Sequence, residues 1–557
     1  MKFPITRPRS LISVKTLAAD VKAALVLGVE GVPDNLSSGV LAGINPVAAV
    51  YAGIFGVAGA ALFTSSALMP VQATGAMSII VRDTGVGTMA NPTGALATLT
   101  LLTGLFMIIA GVLRGGRITR FVSQSVTTGF LAAVGINIIL GQFGDLTLYQ
   151  ADGGRVARSI ETLLHVGEWS WVPLILGAAT AALIVVLRRT RLGGLSYVAA
   201  IIVAWLAAFQ INRSGGSLPL VRDIAQVPSG LPLPILPDLS TVVDLLLPAL
   251  SLAFVGLVQG AGVARSVENP DGSRPDPSQD FIGQGAGNIA SGLMRGMPVG
   301  GSASATVLMT TAGARSRGAL FLTAIVMAVL IVALSPLVAL VPLSGLAGML
   351  LVVGVDTIPI DRLRRSLSIG TVPMTVTATT FVLTLLIPLQ FAVLVGVGVS
   401  IMLFAVGEAS RLDLRQITIT DDGPVEVAPP ATLGAREVVI IQPYGTMFFA
   451  SADRLVEQLP AVTPQSTDSV LILRLRGEQS PSATLIDSLA AYARSLSAVG
   501  SRIVVVTTSE ELVANLAVTE IVADGSVAQT YLGNRYLGAT VRRAYDDAVQ
   551  WVAERRP

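Results

Sequence analysis

Met69-Pro70-Val71 and Met297-Pro298-Val299 repeat one tripeptide, and each opens a run of small and hydroxylated residues inside an apolar stretch. The runs are Gln72-Ala73-Thr74-Gly75-Ala76-Met77-Ser78 and Gly300-Gly301-Ser302-Ala303-Ser304-Ala305-Thr306. Neither contains a basic residue, so their chemistry is that of neutral donors: backbone N–H groups, the Gln72 amide and the hydroxyls of Thr74, Ser78, Ser302, Ser304 and Thr306. Proline removes a backbone donor, and glycine lets backbone approach a ligand closely. Interrupted, short hydrophobic segments at matching places in two halves mark a transporter's binding site. In a bilayer such irregular backbone survives only when buried in protein or lining a cavity. Two carboxylates, Glu30 and Asp34, stand four residues apart in another apolar stretch, where a continuous helix puts them on one face. Intramembrane carboxylates are costly and default to functional roles.

Other chemistries are poorly served. Cysteine is absent and histidine occurs once, so thiol chemistry and zinc-thiolate sites are excluded. No metal-ligand cluster, nucleophile–base set or GxxxxGK[ST] phosphate loop is present in the sequence, and the chain reads as a non-enzyme. A net charge of +2 gives no reason to expect a nucleic-acid partner.

The elements that must position these residues follow from the hydropathy. The chain has 557 residues, 52% apolar and 13% charged, with a mean hydropathy of +0.72. About fourteen hydrophobic spans lie between residues 18 and 410, centred near Gly28, Gly53, Met77, Leu102, Val134, Ala179 and Ile201, then Ala253, Gly287, Met309, Val329, Leu351, Thr380 and Val397. Arg114, Arg117 and Arg120 follow span 4, Arg188 and Arg189 span 6, Arg315 and Arg317 span 10, and Arg362, Arg364 and Arg365 span 12. Basic short loops stay cytoplasmic, so residues 1–17 and the C-terminus are expected in the cytosol of a bacterial inner membrane. Gly28-Val29-Glu30-Gly31 resembles Leu257-Val258-Gln259-Gly260 at nearly the offset of the Met-Pro-Val pair, so seven spans relate to seven, and an odd repeat unit forces inverted topology. Residues 411–435, rich in turn residues, read as a linker. In 436–557, β-branched runs at Glu437–Tyr444, Val470–Leu475 and Arg502–Thr507 alternate with helical patterns, which predicts a cytoplasmic α/β domain with one sheet.

Val32-Pro33-Asp34-Asn35 with Val40-Leu41-Ala42-Gly43 and Asn45-Pro46, then Gln279-Asp280 to Gly283, Asn288-Ile289 and Pro298-Val299-Gly300-Gly301-Ser302, resemble the SulP anion permeases, relatives of the solute-carrier-26 exchangers. Thr74-Gly75 followed by Met77 is nearest to the bacterial bicarbonate/sulfate-type branch, and the C-terminal domain looks like that family's STAS domain. The resemblance implies an α-helical membrane protein of fourteen spans as a 7+7 inverted repeat, divided into core and gate domains, and a homodimer. It also implies that spans 3 and 10 are half-helices whose N-termini face each other at the anion site. That picture is physically sound, because free N–H groups at the positive end of a helix bind anions without a buried lysine or arginine. The expected anion-binding residues are Gln72, Thr74, Gly75, Gly301, Ser302, Ala303 and Ser304.

The chain departs from the family pattern at three places. An acidic residue usual in span 8 is replaced by Gln259, which cannot titrate; Asp34 stands where glutamine is common; and Ala305 or Thr306 stands where many members have arginine. The acidic role is therefore expected to have moved to span 1, with Asp34 as the proton or sodium site and Glu30 beside it. No cofactor is expected beyond that coupling ion, H+ or Na+. The expected function is secondary active transport of a small oxyanion (sulfate, bicarbonate or a dicarboxylate) by symport and alternating access. A passive anion channel, a nucleobase permease of the same architecture and a non-transporting regulatory protein are the alternatives.

Overall fold

A computed structural model describes residues 16–555 except 117–122, 150, 152–154, 191, 225–229, most of 388–411, 421–422, 446–454, 476–482, 519–526 and 534–537. The chain divides into two compact units, Met1–Ser400 and Ile401–Pro557.

In the first unit a helix stands at each expected span from the first to the thirteenth. Span 1 is Leu17–Leu41, span 3 Gly75–Asp83, span 4 Pro92–Val112, span 5 Gln124–Gly141, span 6 Trp171–Arg188 and span 7 Ser196–Arg213. Span 8 is Val242–Ser266, span 9 Pro277–Leu293, span 10 Ala303–Thr311, span 11 Gly318–Ala333, span 12 Leu343–Thr357 and span 13 Thr371–Leu386. Span 2, Pro46–Phe63, begins with Asn45 capping the Val47 N–H at 3.0 Å and contains a π-helical turn at Ala52–Gly56. The span centred on Val397 lies outside the described residues. By length and apolarity alone, seven of the described helices can cross a membrane. Spans 3 and 10 fall short because each is a helix of nine residues, about half a bilayer core in length.

Pro33 sits inside span 1, yet the helix continues through it. Beside the proline, side chains bond back onto the helix: the Ser37 hydroxyl donates to Pro33 O at 2.8 Å, and the Asn35 amide to Gly31 O at 2.7 Å.

Spans 1–4 pack with spans 8–11, and spans 5–7 pack with spans 12 and 13. The pairings recur seven spans apart: span 1 lies on span 11 as span 8 lies on span 4, and span 5 lies on span 13 as span 12 lies on span 6. That recurrence is the expected duplicated seven-span unit. The crossings are backbone to backbone. A Cβ on Gly104 would sit 2.8 Å from Gly285 O, and one on Gly285 would sit 2.7 Å from Gly104 O. Gly135 and Gly354 repeat this reciprocity at 2.6 and 3.0 Å between spans 5 and 12. In lipid, where apolar side chains gain little by meeting one another, small residues that let backbones touch supply the packing.

The first unit has two short strands, β1 (Val71–Gln72) and β2 (Gly300–Gly301); the second holds a sheet built from β3 (Asp413–Thr420), β4 (Gly423–Val427), β5 (Val438–Tyr444), β6 (Val470–Leu475), β7 (Arg502–Thr507) and β8 (Val527–Leu532), six strands in the order β4-β3-β5-β6-β7-β8. β5 to β8 are parallel neighbours, and β3 and β4 add antiparallel to the β5 edge. This corrects the expected linker at 411–435, in which Asp413–Thr420 and Gly423–Val427 are strands of this sheet. Alternation along the strands feeds two cores. Val439, Ile441, Leu471, Leu473 and Val505 face Leu485, Leu489 and Leu496 of helix Ala483–Ser497, while Ile440, Ile472, Val504 and Val506 face Val541, Ala544 and Val552 of helix Ala539–Ala553.

Candidate functional site

The two Met-Pro-Val runs meet. Val71–Gln72 forms β1 and Gly300–Gly301 forms β2, and they pair antiparallel with Val71 opposite Gly301 and Gln72 opposite Gly300. The Ser302 N–H extends the pairing to Pro70 O at 3.0 Å. The two strands are antiparallel, and each is followed within three residues by its half-helix, span 3 from Gly75 and span 10 from Ala303.

Each half-helix is capped in the same way. Thr74 precedes span 3, and its hydroxyl accepts from the Met77 N–H at 3.5 Å; Ser302 precedes span 10 and accepts from the Ala305 N–H at 3.3 Å. The echo continues one turn on, where the Ser78 hydroxyl donates to Thr74 O at 3.0 Å and the Thr306 hydroxyl to Ser302 O at 2.5 Å. Caps satisfy only the third N–H of each helix, so those of Gly75 and Ala76, and of Ala303 and Ser304, have no acceptor within their helices. Both helix dipoles bring their positive ends to one place.

Every residue expected at the site lies around this junction. Gln72 in β1 and Gly301 in β2 are buried, Thr74 and Gly75 are half-buried, and Ala303 and Ser304 are exposed. The Ser302 and Ser304 hydroxyls are 3.3 Å apart. Gln259 of span 8 accepts from the Thr74 hydroxyl at 3.2 Å, and Asp34 accepts from the Gln72 amide at 2.9 Å, so spans 1 and 8 flank the strand pair through one side chain each. Glu30, one turn before Asp34, is buried, and its Oε2 has no hydrogen-bond partner among the described residues. The Gln72 Oε1 is buried and unpartnered as well.

Sequence reasoning missed the support beneath β2. Gln284, Asn288 and Ser291 form one polar face of span 9, at i, i+4 and i+7. Gln284 Oε1 accepts from the Gly301 N–H at 3.0 Å. Asn288 bonds both backbone groups of Val299, at 2.9 Å from its N–H and 2.8 Å to its carbonyl, and the Ser291 hydroxyl donates to Met297 O at 2.7 Å. The Gln284 amide lies against Gly260 of span 8, where any side chain would collide with it. The available signal was the period of three polar residues in a glycine-rich helix.

A second cluster fixes span 2 to span 9. The Asp280 carboxylate, 1% exposed, accepts from the Thr64 hydroxyl at 2.8 Å, the Ser65 N–H and hydroxyl at 2.8 and 2.7 Å, and the Ser66 N–H and hydroxyl at 2.8 and 2.5 Å.

Comparison with known proteins agrees with this architecture. Residues 17–380 match the model of the sulfate permease family. A probable sulfate transporter of Mycobacterium tuberculosis is 26% identical over 358 residues, a match that takes in 63% of this chain and 63% of that protein's length, just under two thirds. The bicarbonate transporter BicA of Picosynechococcus is 25% identical over 464 residues, covering 80% of this chain and 81% of that protein. Among solved structures, SLC26A9 superposes with a TM-score of 0.81 at 18% identity over 96% of this chain and 91% of its own. The transmembrane domain of a cyanobacterial BicA gives 0.61 at 22% identity over 70% of this chain and 98% of its own. The fold is thus that of these helical membrane proteins, the relatives being transporters rather than enzymes. With the family model covering well over half its length, the chain is a member of the sulfate permease family.

Proposed function

We propose that this protein is a secondary active transporter of small oxyanions, with the anion held between the N-termini of spans 3 and 10. The carrying observation is the strand pair that starts two capped half-helices from one point with no basic side chain in either run. Unspent N–H groups of Gly75, Ala76, Ala303 and Ser304 bind the anion's oxygens, and the Thr74, Ser302 and Ser304 hydroxyls add donors that rotate to suit it. Donors of this kind recognise oxyanion charge and size, so sulfate, bicarbonate and dicarboxylates are the substrate class; the relatives' names point the same way. Spans 1–4 and 8–11 carry the site as a body past spans 5–7 and 12–13, which gives alternating access. The protein works in the bacterial inner membrane as a homodimer, with both termini and a STAS-like domain in the cytosol.

Asp34 is the coupling group. Its partner is the Gln72 amide, which donates to the carboxylate, and the coupled cation is a proton or sodium. Gln72 reaches from Asp34 to β1, so occupancy at Asp34 is felt directly at the anion junction. Asp34→Asn is expected to lose the cation that Asp34 carries and so to respond more weakly than the wild type to an imposed cation gradient, while anion binding survives. Retention of the wild-type gradient response would remove the coupling role.

The overall reading is tested by uptake into proteoliposomes of labelled sulfate, bicarbonate, fumarate and uracil under imposed proton and sodium gradients. Gradient-driven uptake of an oxyanion and none of uracil is expected. Uracil uptake alone would establish the nucleobase reading, and oxyanion flux that never accumulates against a gradient would establish a channel.

A further inference from the structure

Glu30 has no part in the anion junction, yet it is 9% exposed and its Oε2 lacks a partner among the described residues. Glu30, Asp34 and Ser37 form one stripe of span 1, at i, i+4 and i+7. Asp34 in this stripe touches Gln72, and Ser37 lies 3.9 Å from Met349 Sδ of span 12. The other side of span 1 is closed by span 11, where Gly28 meets Val326 and Gly31 meets Met327.

The ionisable groups around Glu30 are few. Asp34 is on its own helix, and Tyr197 of span 7 lies within electrostatic reach of both carboxylates. Behind that tyrosine its hydroxyl donates to Asp356 Oδ2 at 3.3 Å, and Arg188 already holds the same oxygen at 2.5 Å. The neighbours from β1 and span 11 are uncharged: Gln72, Val326 and Met327. Neither Glu30 nor Asp34 has an ion-pair partner among the described residues.

Charge has to balance when an anion enters. Two helix ends supply about half a positive unit each, so a dianion leaves about one negative unit uncancelled before either carboxylate is counted. An enclosed carboxylate without a cation adds to that deficit. We propose that Glu30 is a second proton site, so that each dianion crosses with two protons, one on Asp34 and one on Glu30, and no net charge moves. The inference rests on the oxyanion reading above and deepens it: the natural cargo is a dianion such as sulfate or a dicarboxylate.

The test uses the full chain in proteoliposomes clamped at zero voltage, with sulfate as the probe dianion and fumarate as the second. For the wild type, an opposing gradient of about 0.5 pH unit is expected to halt flux down a tenfold sulfate gradient; for Glu30→Gln the expected value is about 1 unit. An imposed inside-negative potential is expected to leave wild-type uptake unchanged and to slow uptake by Glu30→Gln, which carries one negative charge per turnover. Glu30→Asp retains both protons and is expected to behave as wild type. Should Glu30→Gln fail to insert, the wild-type reversal point still decides. A wild-type value of about 1 unit, or wild-type uptake slowed by inside-negative potential, overturns the inference and leaves the oxyanion reading standing. Bicarbonate flux without sulfate or fumarate flux does the same. No oxyanion flux under any gradient removes that reading and this inference together.

Discussion

Asn288→Leu is expected to lower oxyanion uptake about 100-fold or more without unfolding the protein. Asn288 contributes nothing to the anion directly. It holds Val299 by both backbone groups, at 2.9 and 2.8 Å, and its amide also donates to Gln284 O at 2.8 Å. Leucine fills the same space but leaves a buried N–H and a buried carbonyl unpaired, at about 1–3 kcal/mol each. The cheapest relief is for Val299 to turn, which shifts β2 against β1 and withdraws the start of span 10. Span 10's N–H groups then miss the anion, and a misplacement of about 1 Å costs about 100-fold. Initial uptake rates with purified, monodisperse protein check this. Rates within threefold of wild type would mean that β2 is held in place without Asn288.

Asp280→Ala is expected to act on stability rather than on substrate. The carboxylate takes hydrogen bonds from Thr64, Ser65 and Ser66 while 1% exposed, so its removal strands several donors at once where the end of span 2 meets span 9. Each buried donor left unpaired costs about 1–3 kcal/mol. A large drop in thermal unfolding midpoint in detergent is the expected reading, with Asp280→Asn intermediate because one oxygen still accepts. A midpoint within a degree of wild type would show the cluster to be incidental.

The sequence carried the junction because its requirements are written in residue types. Proline, glycine and a capping hydroxyl at a fixed distance leave few options for a nine-residue helix, and doing so twice makes the pairing legible. Glu30 and Asp34 were visible for a related reason: carboxylates are rare among apolar residues. The polar face of span 9 was harder. Gln284, Asn288 and Ser291 have the helical period, but between glycines they look like an ordinary soft crossing, and only the position of β2 shows what they bond.

The strands at 413–427 were lost to a competing signal. Asp421-Asp422-Gly423-Pro424 reads as a turn, and with Pro429-Pro430 it marks a boundary, although turn residues between two β-rich runs equally describe a hairpin. Alternation in β3 is weak because Leu414 is buried while Ile417 and Ile419 are only partly covered, as befits strands near a sheet edge. The last span, centred on Val397, lies outside the described residues.

The reciprocal glycine crossings also bear on how freely such a chain can drift over generations. Where Gly104 meets Gly285 and Gly135 meets Gly354, architecture depends on four missing side chains, while exposed neighbours such as Leu105 and Val355 can be exchanged for other apolar residues at little cost. A fold held this way asks for a few missing side chains rather than for particular large ones, so much of its sequence is free to change while its shape stays.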